Sequence, residues 1–272
     1  MTMVEPVDNE VSHAAESPQF RVGDMAPLIQ RMRKFLADHG EETRRYHASS
    51  ELLCVDNEQR SSQRKEGGPD VVLAEDTAVE LGHPLTPSLA MVLTCYQPGL
   101  VRHGEISILG PDVDEIEAGD RRPFAQIVML SVRDGDAPDP FEIDTTQYLI
   151  RRLPGYMVRS VPGKTWVRIS REARAAGLTI KTVGSALIGA YMHDFEAVEK
   201  AEIAFVTSCG KDVEALSQIA HEASILAGKH KKLVLGVDGE VECRELNCET
   251  CNDKPVCDNL RDIVIKRRSR KQ

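Results

Sequence analysis

The sequence predicts an α/β protein, in which a mixed sheet with flanking helices is followed by a small C-terminal cysteine module. Two observations carry this prediction. Short apolar, β-branched runs alternate with segments of helical periodicity from residue 71 onwards. From residue 125 a strand pattern is followed by a helix pattern three times in succession, an order typical of α/β domains.

The predicted elements follow in chain order. A helix is predicted within residues 24–47, with Asp24 as its cap and apolar residues recurring at helical spacing. The predicted strands are 71–73, 90–95, 105–109, 125–132, 165–170 and 201–207, and the predicted helices are 144–153, 179–194 and 211–229. We expect the last three strands to share one sheet. We also expect Trp166, the single tryptophan, to be at least half buried.

Four segments are expected on this basis. Residues 1–23 are polar and acidic, which predicts a disordered leader. Residues 24–70 predict an N-terminal helix and a polar linker that ends in Gly-Gly-Pro-Asp. Residues 71–237 form the predicted α/β domain, and residues 238–272 the predicted four-cysteine metal or iron–sulfur module with a basic C-terminal helix.

Four of the seven cysteines lie within fifteen residues near the C-terminus. They are Cys243, Cys248, Cys251 and Cys257, with the spacing C-x4-C-x2-C-x5-C. Four thiolates this close can surround one metal centre, and tetrahedral zinc and a cubane [4Fe–4S] cluster both take four sulfurs. The single C-x2-C, flanked by one cysteine on each side, favours a compact cluster loop. Zinc remains an alternative, as do two disulfides or four unconnected thiols.

Composition excludes some classes of function. The formal net charge is -9 and the pI about 5.5, which argues against a nucleic-acid-binding protein. The N-terminal residues lack the apolar region of a signal peptide, and no apolar run reaches the ~18 residues of a membrane span. The sequence therefore predicts a cytoplasmic protein without a membrane partner.

Two further groups of residues invite a functional interpretation. The acidic stretch 112–120 lacks the glycine-centred spacing of a calcium loop, and we interpret it as a solvated surface. Cys209 follows a predicted strand, with His193 and His221 on the flanking helices, which could pair a nucleophile with a base. We favour a small buried cysteine at a strand end.

The middle of the chain carries several distinctive short motifs. They are the Gly-Pro-Asp turn at 110–112, the Pro-Phe pair at 123–124, the W-V-R-I-S strand at 166–170 with the following Gly177, and a helix ending near 194–195. With these motifs the chain resembles the β subunit of the carbon monoxide dehydrogenase/acetyl-CoA synthase complex. The resemblance covers residues 105–208 well and residues 71–257 loosely. It implies an acetyl-CoA-synthase-like middle domain within residues 71–237.

The resemblance also implies a chemistry. In that family this region precedes a metal domain, where a [4Fe–4S] cluster bridged to two nickel ions assembles acetyl-CoA from a corrinoid-bound methyl group, carbon monoxide and coenzyme A. Cys248 and Cys251 match the family's first C-x2-C, and Cys257 approximates its third cysteine. This sequence has no Cys-x-Cys for the second nickel, and Cys243 lies upstream where the family's fourth cysteine lies downstream.

Three hypotheses follow. The first is an acetyl-CoA-synthase-related [4Fe–4S] protein in one-carbon or corrinoid-linked metabolism, acting as an accessory or electron-transfer protein. Its expected partners are other protein subunits, of the corrinoid or carbon monoxide dehydrogenase type. The second is a non-catalytic interaction module that binds zinc. The third, implied by the resemblance alone, is a CO-methylating acetyl-CoA synthase, an acyltransferase. No catalytic residue is assigned.

Overall fold

The computed structural model describes residues 24–49, 71–133, 138, 140–147, 153–161, 164–227, 233–235 and 241–243. Its helices are α1 (Ala26–Asp38), α2 (Pro140–Thr146), α3 (Arg171–Ala175), α4 (Ile180–Asp194), α5 (Gly210–Ala215) and α6 (Ser217–Leu226). Its strands are β1 (Thr43–His47), β2 (Thr77–Leu81), β3 (Ser88–Cys95), β4 (Glu105–Leu109), β5 (Arg121–Arg122), β6 (Phe124–Val132), β7 (Tyr156–Val161), β8 (Lys164–Ser170), β9 (Val198–Val206), β10 (Leu233–Leu235) and β11 (Val241–Cys243). None of these helices is long and apolar enough to cross a membrane.

Two mixed sheets and a short hairpin organise the described strands. The five-stranded sheet has the order β1-β4-β9-β6-β3, and the four-stranded sheet has the order β5-β2-β8-β7. In the first sheet β4 runs parallel to β9 and β3 parallel to β6, whereas β6 and β9 are antiparallel. β10 and β11 form an antiparallel pair of their own. The predicted α/β class, mixed sheets with flanking helices, is confirmed.

The five-stranded sheet separates two hydrophobic cores. Every residue of β6 is buried, because its side chains alternate between the two cores. On one face, Ile127 and Met129 pack with α1 and α6. On the other, Phe124 and Val128 pack with α4 and the inner face of the four-stranded sheet. A strand buried on both faces has a continuous apolar run in its sequence, which is why β6 was predicted correctly from the run at 125–132.

Polar side chains fix the start of the longest helix. Thr179 caps α4 by accepting a hydrogen bond from the backbone N–H of Thr182. The buried carboxylate of Asp112 accepts the backbone N–H groups of Val113 and Ile180, each at 2.6 Å. Asp112 therefore joins the turn after β4 to the first turn of α4. The interpretation of 112–120 as a solvated surface is wrong at this residue, which is only 6% exposed.

Some predicted elements have different bounds or neighbours. The sequence predicts that 165–170 shares a sheet with 125–132 and 201–207. This prediction is wrong, because Thr165–Ser170 lies in β8 of the four-stranded sheet, whereas β6 and β9 lie in the five-stranded sheet. Residues 71–73 form no strand, because Val71 and Leu73 are exposed and the chain pairs only from Thr77. The predicted helix 211–229 is divided at Leu216 into α5 and α6.

The N-terminal part of the chain also differs in detail. α1 ends at Asp38, and residues 43–47 form β1, which pairs with β4 at the edge of the larger sheet.

The helix predicted at 144–153 begins four residues earlier in the structure, as α2 (Pro140–Thr146), and residues 148–152 lie outside the described residues. The expected leader (1–23) and most of the expected linker also lie outside the described residues.

Candidate functional site

The predicted metal ligands fall almost entirely outside the described residues. Cys243 is the last residue of β11, where its backbone is paired with Leu233. Cys248, Cys251 and Cys257 lie beyond the described chain. Among the residues that are described, no group of three or more His, Cys, Asp or Glu side chains could hold a metal ion. The four-cysteine site therefore stays a prediction.

The described residue with the most distinctive surroundings is Trp166. It lies on β8, where Thr165, Val167 and Ile169 point into the core and the alternate residues point outward. The guanidinium carbon of Arg168 lies 4.5 Å from the centre of the indole ring, and that of Arg159 lies 5.9 Å from it. Both distances are within the range of cation–π attraction.

Trp166 is partly exposed and more than half buried, as the sequence predicted. A loop supplies part of the cover, as we expect from the sequence. The ring of His83, in the loop between β2 and β3, meets the indole edge-on at a centroid distance of 6.2 Å, and Arg159 and Arg168 contact the indole ring from the sheet. The indole N–H is buried and has no hydrogen-bond acceptor among the described residues.

A buried carboxylate organises the cations around this tryptophan. Glu80, 7% exposed on β2, accepts hydrogen bonds from Arg168 at 2.7 Å and from Arg121 at 3.1 Å. Arg159 and Lys164 are exposed beside Trp166 and have no such carboxylate among their named contacts. We call Arg121, Arg159, Lys164, Trp166 and Arg168 the cationic sheet face. It carries four positive charges against the one carboxylate of Glu80.

This face was not identified from the sequence. The alternation of Lys164, Trp166 and Arg168 along β8 was the available signal, since alternate strand residues share a face. Arg159 and Arg121 join this face only because β7 and β5 are the two edge strands of the same sheet. An aromatic ring beside several cations can hold an anionic group while the ring contacts an apolar or planar surface.

Cys209 has different neighbours from those predicted. Its exposed thiol donates a hydrogen bond to Oδ2 of Asp212 at 3.2 Å, and the same oxygen accepts a hydrogen bond from Ser208 at 2.5 Å. The other carboxylate oxygen lies 3.6 Å from Nε2 of His39. The interpretation of Cys209 as a buried residue is therefore wrong, and the histidine that the structure places beside Asp212 is His39.

The order of these groups does not favour a nucleophile. Activation of a thiol requires a base next to the sulfur and a third group that orients the base. Here the carboxylate of Asp212 lies between the sulfur and the imidazole. Burial raises the pKa of Asp212, but the hydrogen bonds from Ser208 and Cys209 and the charge of His39 outweigh burial and lower this pKa. A carboxyl group with a lowered pKa is a weak base.

One further ion pair fixes the turn after β4. Arg44 of β1 donates to both carboxylate oxygens of Glu115 at 2.7 Å and to the backbone carbonyl of Gly110. The Arg44 hydrogen bond lowers the pKa of Glu115. Gly110 itself has φ +106°, and a Cβ there would lie 2.4 Å from the backbone nitrogen of Ser208. The ends of β4 and β9 thus pack backbone against backbone.

Comparison with known proteins identifies the family of the middle part of the chain. The family model of the CO dehydrogenase/acetyl-CoA synthase complex beta subunit matches residues 62–212, more than half of the chain. An acetyl-CoA decarbonylase/synthase complex subunit beta 2 from Methanocaldococcus jannaschii is 27% identical over 154 residues, which cover 54% of this chain and 31% of that protein.

Two other relatives show the same extent of similarity. A subunit beta from Archaeoglobus fulgidus is 27% identical over 153 residues, 53% of this chain and 28% of that protein. A carbon monoxide dehydrogenase/acetyl-CoA synthase subunit alpha from Moorella thermoacetica is 27% identical over 155 residues, 54% of this chain and 20% of that protein. The alignments thus cover less than a third of each of these three relatives, and the family model's match ends before Cys243. The chain belongs to the CO dehydrogenase/acetyl-CoA synthase complex beta subunit family.

Proposed function

We propose that this chain is a [4Fe–4S]-carrying, accessory relative of the acetyl-CoA decarbonylase/synthase β subunits. It acts in the cytoplasm, in one-carbon or corrinoid-linked metabolism, together with other protein subunits. The observation that carries the proposal is the combination of a family match over residues 62–212 with four bunched cysteines after it. Relatives named as subunits of a complex support the expectation of protein partners.

The donor set fits the proposed cofactor. Cys243, Cys248, Cys251 and Cys257 would supply four thiolates, which is the ligand number of a cubane cluster. When bound, such a cluster supplies one-electron transfer or a structural cross-link, because four protein sulfurs leave no open position on the irons. The same four thiolates also fit zinc. A zinc-binding interaction module is therefore the alternative, and the family match favours the iron–sulfur protein.

An accessory role is proposed because these 272 residues hold no Cys-x-Cys and so lack the thiolate and amide ligands of a second nickel ion. We expect no acetyl-CoA synthesis by this chain alone after reconstitution with iron, sulfide and nickel. The assay supplies a methylated corrinoid protein, carbon monoxide and coenzyme A, with an intact family member as the positive control. Turnover that depends on this chain alone would show that it is a complete synthase.

A further inference from the structure

The cationic sheet face has an excess of positive charge that the rest of the described structure does not explain. Its four cations face one carboxylate, Glu80, in a chain whose net charge is -9. Trp166 adds a partly exposed aromatic surface beside these cations. These features favour an occupant that is acidic and offers carboxylate oxygens to the arginine and lysine side chains.

The cysteine segment of the same chain has the matching chemistry. Residues 238–258 contain seven acidic and two basic residues, and their four cysteines add negative charge when they act as thiolates. We propose that residues 238–258, which we call the acidic cysteine segment, dock on the cationic sheet face. The docking depends on charge, so it does not rest on the proposed identity of the metal.

The length of the chain permits this docking. The helical layer formed by α5 and α6 ends at Ala227. Because Leu233 pairs with Cys243, the chain leaves the β10–β11 hairpin beside the point where it enters. Residues 244–258 can then extend over about 50 Å at ~3.3 Å per residue. The two sheets together occupy about 20 Å, since stacked sheets are about 10 Å apart.

The helical layer and the cationic sheet face also meet at one loop. Between β2 and β3 this loop carries His83, which contacts Trp166, and Pro87. Pro87 packs against the start of α5, since a Cβ on Gly210 would lie 3.1 Å from its Cγ. The loop between β2 and β3 therefore connects the surroundings of Trp166 with the start of α5. Docking would place arginine guanidinium groups next to the cysteines and offset their charge.

Lys164 offers a direct test, because it is the one lysine that we assign to the cationic sheet face. A carbodiimide joins a lysine amine to a carboxylate only when the two are in contact. In the full-length, anaerobically purified protein, we expect mass spectrometry to find Lys164 joined to acidic residues of 238–258. The yield should fall several-fold in about 0.5 M salt, which reduces the Debye length to a few ångströms.

Three controls separate docking from random contact. Lys164→Arg keeps the charge and removes the amine, so it should abolish the cross-link. Arg159→Glu keeps the amine but reverses a neighbouring charge, so it should reduce the yield several-fold. Lys211, exposed on α5, should join the acidic cysteine segment several-fold less than Lys164 does.

Two results would overturn the proposal. One is an acidic cysteine segment that joins all exposed lysines equally, or none. The other is a cross-link that forms only between isotopically light and heavy chains mixed together, since the occupant would then be a second copy. The expected cross-link should be the same in iron-loaded and metal-free protein, which keeps this test separate from that of the cluster.

Discussion

Arg33→Ala is expected to lower the free energy of unfolding by about 3–5 kcal/mol, the cost of breaking a buried ion pair by removing one partner. Glu202 lies on β9 beneath α1, with only 1% of its side chain exposed. It accepts hydrogen bonds from the Arg33 guanidinium at 2.6 Å and from the backbone N–H of Arg102 at 2.7 Å. Without Arg33 the carboxylate keeps its burial and loses its counter-ion.

The same helix supplies a matched control. Arg31 forms an ion pair with Glu222 in which the two side chains are 40% and 36% exposed. Pairs of this kind contribute about 0–1 kcal/mol, so Arg31→Ala should change little. Urea unfolding followed by circular dichroism measures both variants. Equal losses in the two would contradict the assigned role of Glu202.

The loss of stability in Arg33→Ala should depend on pH in a defined direction. Burial raises the pKa of Glu202 in the folded protein, while the hydrogen bond from Arg102 and the charge of Arg33 oppose that rise. The folded state therefore binds the proton more tightly than the unfolded state. The stability linked to this proton is present below the unfolded pKa of about 4.3 and is lost as pH rises through the folded value. Removing Arg33 raises the folded pKa further, so Arg33→Ala should be less destabilising near pH 5 than at pH 7.

Gly110→Ala should be the second large effect, with a loss of about 3 kcal/mol or more from backbone strain and steric overlap. Gly110 combines φ +106° with a position where a Cβ would lie 2.4 Å from Ser208 N and 2.7 Å from Ser208 Cα. Both neighbours are backbone atoms at the end of β9, so neither can move aside without separating β4 from β9.

Gly119→Ala separates the effect of backbone strain from that of steric overlap. Gly119 has φ +90°, but a Cβ there would meet nothing within 4 Å. Only the unfavourable φ remains, and it costs about 1–2 kcal/mol. Thermal unfolding of the two variants gives the comparison. A Gly110→Ala variant no less stable than Gly119→Ala would show that β4 and β9 are not in close backbone contact at this point.

Much of the fold could be predicted because apolar periodicity is a local property. β4, β6 and β9 are marked by short apolar runs, and α4 by its capping Thr179 and its apolar face. β1 was missed because Arg44 and Arg45 make it polar, as is common for an edge strand. The partner of each strand was harder to predict, since pairing joins residues distant in the sequence.

β8 was placed in the wrong sheet although its residue pattern differs from those of β6 and β9. β8 alternates buried and exposed residues, whereas β6 is buried throughout and β9 nearly so. A half-exposed strand and two strands that are buried along most of their length have different surroundings, which was a reason not to place β8 in one sheet with β6 and β9. The cationic sheet face was missed for a related reason. Strand pairing places Arg159 opposite Trp166 and Arg121 opposite Glu80, and no local pattern records such pairing.

The central proposal, a [4Fe–4S] cluster on Cys243, Cys248, Cys251 and Cys257, is tested most directly by metal analysis of anaerobically purified protein. Iron, acid-labile sulfide, zinc and the visible spectrum are measured on the same sample, with a Cys251→Ser variant beside it. We expect brown protein with about four irons and four sulfides per chain, and a loss of iron in the variant. Colourless protein with one zinc per chain and no sulfide would contradict the proposal and favour the zinc-binding interaction module.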